Sequence, residues 1–193
     1  MNTSKRGIYR NLINGSLYLA VLMTCSFVGS FQASAADLTT GQNTKIARAL
    51  AAGPPGIAAG AAVAEPDGSG HLRVLREGTN AFTCMPGDPM TVGKPAMCMN
   101  KAAMQWGMDF DQHKPRPTNT EPGIIYMLSG ATQRSDMDPY DTHSPPITVG
   151  PHWMIMWPFD AATSGLPTHH KSTGAYIMWP GSPYAHVHIM GVP

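Results

Sequence analysis

His152-Trp153-Met154-Ile155-Met156-Trp157 and Tyr184-Ala185-His186-Val187-His188-Ile189-Met190 are the stretches on which the reading of this chain turns. Both are short, apolar and rich in branched or aromatic residues, which is the composition of strands. Side chains two apart in a strand share a face. The first stretch sends His152, Met154 and Met156 one way and Trp153, Ile155 and Trp157 the other. In the second, His186, His188 and Met190 share a face, with Val187 and Ile189 opposite. If the two strands are neighbours, one face of a sheet carries three imidazoles and three thioethers. Residues 175–179 read as a third strand, and Ile155-Met156-Trp157-Pro158 recurs there as Ile177-Met178-Trp179-Pro180. Proline cannot donate to a ladder, so both strands should end at that point.

Working outward, residues 57–65 and 72–76 form an expected hairpin around Pro66-Asp67-Gly68-Ser69-Gly70, continued by a short strand over 79–84. Residues 124–128 are a compact apolar run, read as a buried strand. Two helices are predicted. In residues 39–52, Ile46, Ala49 and Leu50 share a face before Gly53-Pro54-Pro55. In residues 97–113, Met99, Ala103, Trp106 and Phe110 recur at helical spacing before Pro115. Residues 129–150 are poor in apolar side chains and read as a long surface loop. The expected fold is therefore α+β and loop-rich, a mainly antiparallel sheet of about six short strands with two helices.

The N-terminus reads as an address. Lys5, Arg6 and Arg10 precede an apolar, uncharged stretch from Leu12 to Phe27, and Ala33-Ser34-Ala35 supplies a small-x-small cleavage pattern. That is a cleavable secretion signal over residues 1–35, leaving a single exported domain over 36–193, periplasmic or secreted. Cys25 follows Leu22-Met23-Thr24 as in a lipoprotein site, but Thr24 is bulky for that role. Removing three of thirteen basic residues leaves ten against twelve acids, a net charge near −2. Nucleic-acid binding needs a basic surface and is not expected. No later apolar segment is long enough to span a membrane. Cys84 and Cys98 remain as a pair, and in an oxidising compartment a disulfide is expected.

Imidazole and thioether together suit copper, since thioether favours Cu(I) and imidazole accepts both oxidation states. His152, Met154, His186, His188 and Met190 are accordingly the candidate metal ligands. The competing reading is packing, because methionine is a common core filler. A second cluster, Asp136, Asp138, Asp141 and His143, could hold an oxygen-seeking cation or serve an acid/base enzyme with His152 or His170. It also reads as a turn-rich loop whose side chains cap its own backbone. Asp109, Asp111 and His113 end the second helix and read as surface groups, as does His169-His170 in its polar turn. Trp106, Trp153, Trp157 and Trp179 offer an alternative non-metal function, an aromatic cleft for a small molecule or protein. No G-x-S-x-G, H-E-x-x-H, P-loop, G-x-G-x-x-G or C-x-x-C is present, so no reaction is assigned.

Overall fold

The computed structural model describes residues 35–193, and its framework is one mixed sheet of eight strands. In chain order the elements are α1 (Ala35–Leu50), α2 (Pro55–Ala58), β1 (Ala62–Pro66), β2 (Leu72–Arg76), β3 (Phe82–Met85), β4 (Met97–Asn100), α3 (Lys101–Asp111) and β5 (Gly123–Met127). They continue with β6 (Ala131–Gln133), β7 (Ile147–Val149), β8 (His152–Met156), α4 (Ala161–Ser164), β9 (Gly174–Met178) and β10 (His186–Met190). The large sheet runs β2-β1-β3-β4-β5-β8-β10-β9, and β6 and β7 form a separate two-stranded sheet. The expected leader lies outside the described residues, apart from Ala35. No helix among the described residues is long and apolar enough to cross a membrane.

This corrects the expected sheet of about six mainly antiparallel strands with two helices, and three physical causes account for the difference. First, β1 and β3 pair in parallel, with Val63 opposite Cys84. Residues 77–81 cross over the start of β1 to reach its far side, where Thr79 and Asn80 donate to the Gly60 carbonyl. A side chain at Gly78 would stand 2.3 Å from the Ala62 nitrogen, so only glycine permits the crossing. Second, Met97–Asn100 is strand rather than helix, because Cys98 pairs across β3 and Asn100 caps the helix that follows. The Asn100 side-chain oxygen accepts from both Ala103 N and Ile124 N, at 3.0 Å each, tying α3 to β5. Third, the supposed loop of 129–150 contains β6 and β7 at its two ends.

The two faces of the sheet have separate cores. Cys84 and Cys98 point to the face covered by α1, where Ala49, Ala52 and Val63 complete the cluster. Met99, Ile125, Met154 and Met156 point to the opposite face, under Ala103 and Trp106 of α3. Burying each large side chain of this kind contributes roughly 1.5–3 kcal/mol.

Cys84 and Cys98 are disulfide-bonded across neighbouring strands, 14 residues apart. A loop of that length is worth about 3 kcal/mol in the chain-entropy model. For a domain of this size each kcal/mol moves the melting temperature by about 2–4 °C. The Cys84→Ser/Cys98→Ser variant is therefore expected to melt about 6–12 °C lower. Calorimetry against the oxidised protein tests this, and an unchanged melting temperature would remove the disulfide from the stabilising interactions.

Candidate metal centre

β10 lies between β8 and β9, and the register sets the candidate ligands side by side. His188 faces Met154 across one ladder and Tyr176 across the other. Met190 faces His152, and His186 faces Met178. His152, His186 and His188 are 1%, 1% and 0% exposed, which is unusual for a titratable side chain. The imidazoles of His152 and His188 meet edge to face with centres 4.2 Å apart.

Each buried imidazole is held by Nδ1. His152 Nδ1–H donates to the Gly150 carbonyl at 2.7 Å, and His186 Nδ1–H to the Tyr184 carbonyl at 3.0 Å. His188 Nδ1 bonds the Tyr176 hydroxyl. That hydroxyl donates to Asp136 Oδ1 at 3.2 Å, so its oxygen accepts from His188. The proton is thereby fixed on Nδ1 of all three rings, leaving the lone pair on Nε2. The Nε2 atoms of His186 and His188 are buried without a hydrogen-bond partner, as is the nearby indole Nε1 of Trp106. Buried polar atoms are seldom left so, because each costs about 1–3 kcal/mol. An imidazole anchored through one nitrogen and free at the other is the usual posture of a metal ligand.

Burial also keeps these rings neutral. It lowers the pKa of His152, takes His186 to about 4, and takes His188 to about 2, where repulsion from His152, His186 and His170 adds to it. At neutral pH all three are in the form a metal requires.

Most methionines here are packing. Met85, Met97, Met99, Met104, Met127, Met154 and Met156 belong to the one core cluster under α3. Those set beside an imidazole by the register of β10 are Met154, Met178 and Met190. Met178 and Tyr176 were not among the sequence candidates, and Asp136 was one only as part of the acidic loop cluster. Alternation along β9 puts Tyr176 and Met178 on one face, so both were open to the reading applied to β8 and β10. Asp136 gave no such signal, because its link to His188 runs through a residue 40 positions away.

The other candidates disperse. Asp138 caps Tyr140 N, and Asp141 accepts from the Ser144 side chain, Ser144 N and His143 N, which hold its carboxyl at about 2. Asp136 turns inward to Gln133 and Tyr176 instead. Asp109 corrects the surface expectation: it is fully buried. Burial alone would raise its pKa, but bonds from Lys114, Thr118 and Gln105 outweigh that and hold it at about 2. Asp111 and His113 remain exposed, and His113 stacks on Tyr140. His169 and His170 are exposed, with His170 Nδ1 3.4 Å from the Tyr176 hydroxyl. The four tryptophans do not share a cleft. Trp106 and Trp179 stack beside His186, Trp153 lies against Tyr126, and Trp157 lines a depression with Arg116 and Asn119. Among the described residues, no group of three or more His, Cys, Asp or Glu could by itself hold a metal ion. No known protein family, curated protein or solved structure matches the chain.

Proposed function

We propose that this is an exported copper protein that holds Cu(I) at the buried face of β8 and β10. His186 and His188 supply Nε2 nitrogens and Met154 and Met190 supply thioethers, while His152 packs edge to face on His188 and does not complete a three-imidazole group. The observation that carries the reading is the pair of buried, unpartnered Nε2 atoms on His186 and His188, with their Nδ1 atoms already anchored. The Cys84–Cys98 disulfide is in keeping with an oxidising compartment.

Charge favours the monovalent ion. The imidazoles are neutral, and the nearest carboxylate in their hydrogen-bond chain, Asp136, stands behind the Tyr176 hydroxyl. Burying an ion costs energy that scales with the square of its charge, so an uncompensated dication is far costlier than Cu(I). Zinc prefers four ligands drawn from Cys, His and carboxylates, which this face does not offer. An organic substrate is disfavoured because the imidazoles are 0–1% exposed.

The test is copper content by mass spectrometry on protein recovered from the export compartment, then Cu(I) titration against a chromogenic chelator. One equivalent is expected. His186→Ala with His188→Ala should lower Cu(I) affinity at least 100-fold, since each lost ligand costs more than a tenfold change of about 1.4 kcal/mol. Far-UV circular dichroism establishes that the double variant is folded. A bound water would also satisfy the two Nε2 atoms and take up no copper. A folded wild-type protein that leaves all Cu(I) with the chelator would end the copper reading.

A further inference from the structure

We propose that the indole of Trp179 is part of the metal site, covering the ion on the His186 side. This rests on the copper reading above. The centre of Trp179 lies 5.0 Å from that of His186, with the rings 78° apart. Trp106 stands 5.4 Å away at 73°, and the two indoles lie nearly parallel, 12° apart, with centres separated by 6.0 Å. His186 thus meets two aromatic planes that both stand upright to its own ring. A metal bonded to an imidazole nitrogen at about 2 Å sits about 3 Å from the ring centre. With Nδ1 turned to the Tyr184 carbonyl, Nε2 is the nitrogen left to a metal, and an indole face attracts a cation over about 6 Å.

The backbone supplies an independent observation. Trp179 has φ of 56°, in the left-handed region. For a bulky residue this is strained, and such strain collects at functional positions. Its effect is directional. Strand alternation would send position 179 to the face of Ala175 and Ile177, away from the histidines. The left-handed turn after Met178 brings the indole back beside His186. Three bonds hold it there: Trp179 N to the Asp136 carbonyl at 2.7 Å, Nε1 to the Ser135 carbonyl at 3.0 Å, and Ser182 N to the Trp179 carbonyl at 3.1 Å. With Nε1 engaged, the indole offers His186 its π system and not a donor. Trp157 serves as an internal control. It ends the same Ile-Met-Trp sequence before proline, yet it is not in the left-handed region and lines a surface depression instead. The recurring tetrapeptide is therefore bent toward the histidines in one copy and not in the other.

A desolvated cation–π contact of this kind is worth about 10- to 30-fold in affinity. Cu(I) and Ag(I) titrations are run on the full chain carrying Trp153→Phe and Trp157→Phe, so that Trp106 and Trp179 alone report. Cu(I) binding is expected to quench their fluorescence and produce a new near-ultraviolet band. In Trp179→Leu the band should vanish and Cu(I) affinity fall about 10- to 30-fold. Trp179→Phe, which keeps the ring stack, should lie between and answers the question if the leucine variant misfolds. Stoichiometric Cu(I) binding with no optical change, and equal affinity in the variants, would overturn the role of Trp179 while leaving copper in place. Failure of the unsubstituted protein to bind Cu(I) would overturn both.

Discussion

Lowering the pH from 7 to 4 is expected to unfold this domain, with the three buried histidines as the cause. Their folded pKa values lie below the ordinary 6.5 because burial disfavours the charged ring, with His186 at about 4 and His188 at about 2. The unfolded chain takes up protons at 6.5 that the folded chain refuses. Stability is therefore complete above about pH 6.5 and falls as pH drops toward the folded values. Each group contributes roughly 1 kcal/mol per pH unit over that range. By pH 4 His186 and His188 alone remove about 6 kcal/mol, against a total stability of about 5–15 kcal/mol for a domain. The carboxylates act elsewhere. Asp109 and Asp141 have folded values near 2, so what they contribute is present above 3.8 and lost only below it. Burial raises the Glu65 carboxyl but Lys45 and Arg73 outweigh it, so its contribution is lost from about 4.5 downward, and a loss of stability already under way between pH 6.5 and 5 points to imidazoles and not to carboxylates. Urea melts at half-unit steps from pH 7 to 4, followed by circular dichroism, measure it. His188→Phe should flatten the slope by about one group. A urea midpoint constant from pH 7 to 5 would mean that the rings are not buried neutral. Cu(I) competes with these protons, so the loaded protein should hold its fold to lower pH.

The histidine face was legible because a period of two is a local property. Residues 152–156 and 186–190 declare their faces without reference to any other part of the chain, and the two strands are neighbours. What could not be read depends on distant partners. Met97-Cys98-Met99 fits a helix by spacing and becomes a strand because β3 and β5 flank it. Asn100 gives no sign that one amide oxygen will serve both a helix cap and a strand 24 residues on. Asp109 looks like a surface acid at the end of a helix until Lys114 and Thr118 fold back over it. Gly78 carries no sign in the sequence that its lack of a side chain lets the chain cross β1 and pair β3 in parallel with it. The same limit applies within the site. Imidazoles and sulfurs were visible, but the anchors of Nδ1 and the reversed Trp179 follow from hydrogen bonds and a backbone angle. These decide which nitrogen is free and which ring stands beside it.

Two glycine substitutions on either side of the α3–β5 contact are expected to act in opposite directions. Gly123 opens β5, and a side chain there would lie 2.6 Å from Ala103 Cα and 2.7 Å from Ala103 N. Those are backbone atoms of α3, which no rotamer change can move aside. Gly123→Ala must push the helix off the sheet, and overpacking of this kind costs about 1–3 kcal/mol or more. With backbone against backbone the upper end, about 3 kcal/mol, is expected. Gly107 lies in α3 with nothing within 4 Å of where a side chain would go. Gly107→Ala meets no obstacle and should stabilise by up to about 1 kcal/mol through helix propensity alone. The pair also separates fold from site. α3 carries Trp106, whose ring packs on Trp179 and His186, so lifting the helix loosens the aromatic wall without touching a ligand. Gly123→Ala should weaken Cu(I) binding as well as lower the melting temperature, whereas Gly107→Ala should raise the melting temperature and leave binding unchanged. Equal melting temperatures for Gly123→Ala and wild type would mean that α3 does not rest on β5 at the distance seen here, and the placement of Trp106 over the histidines would fall with it.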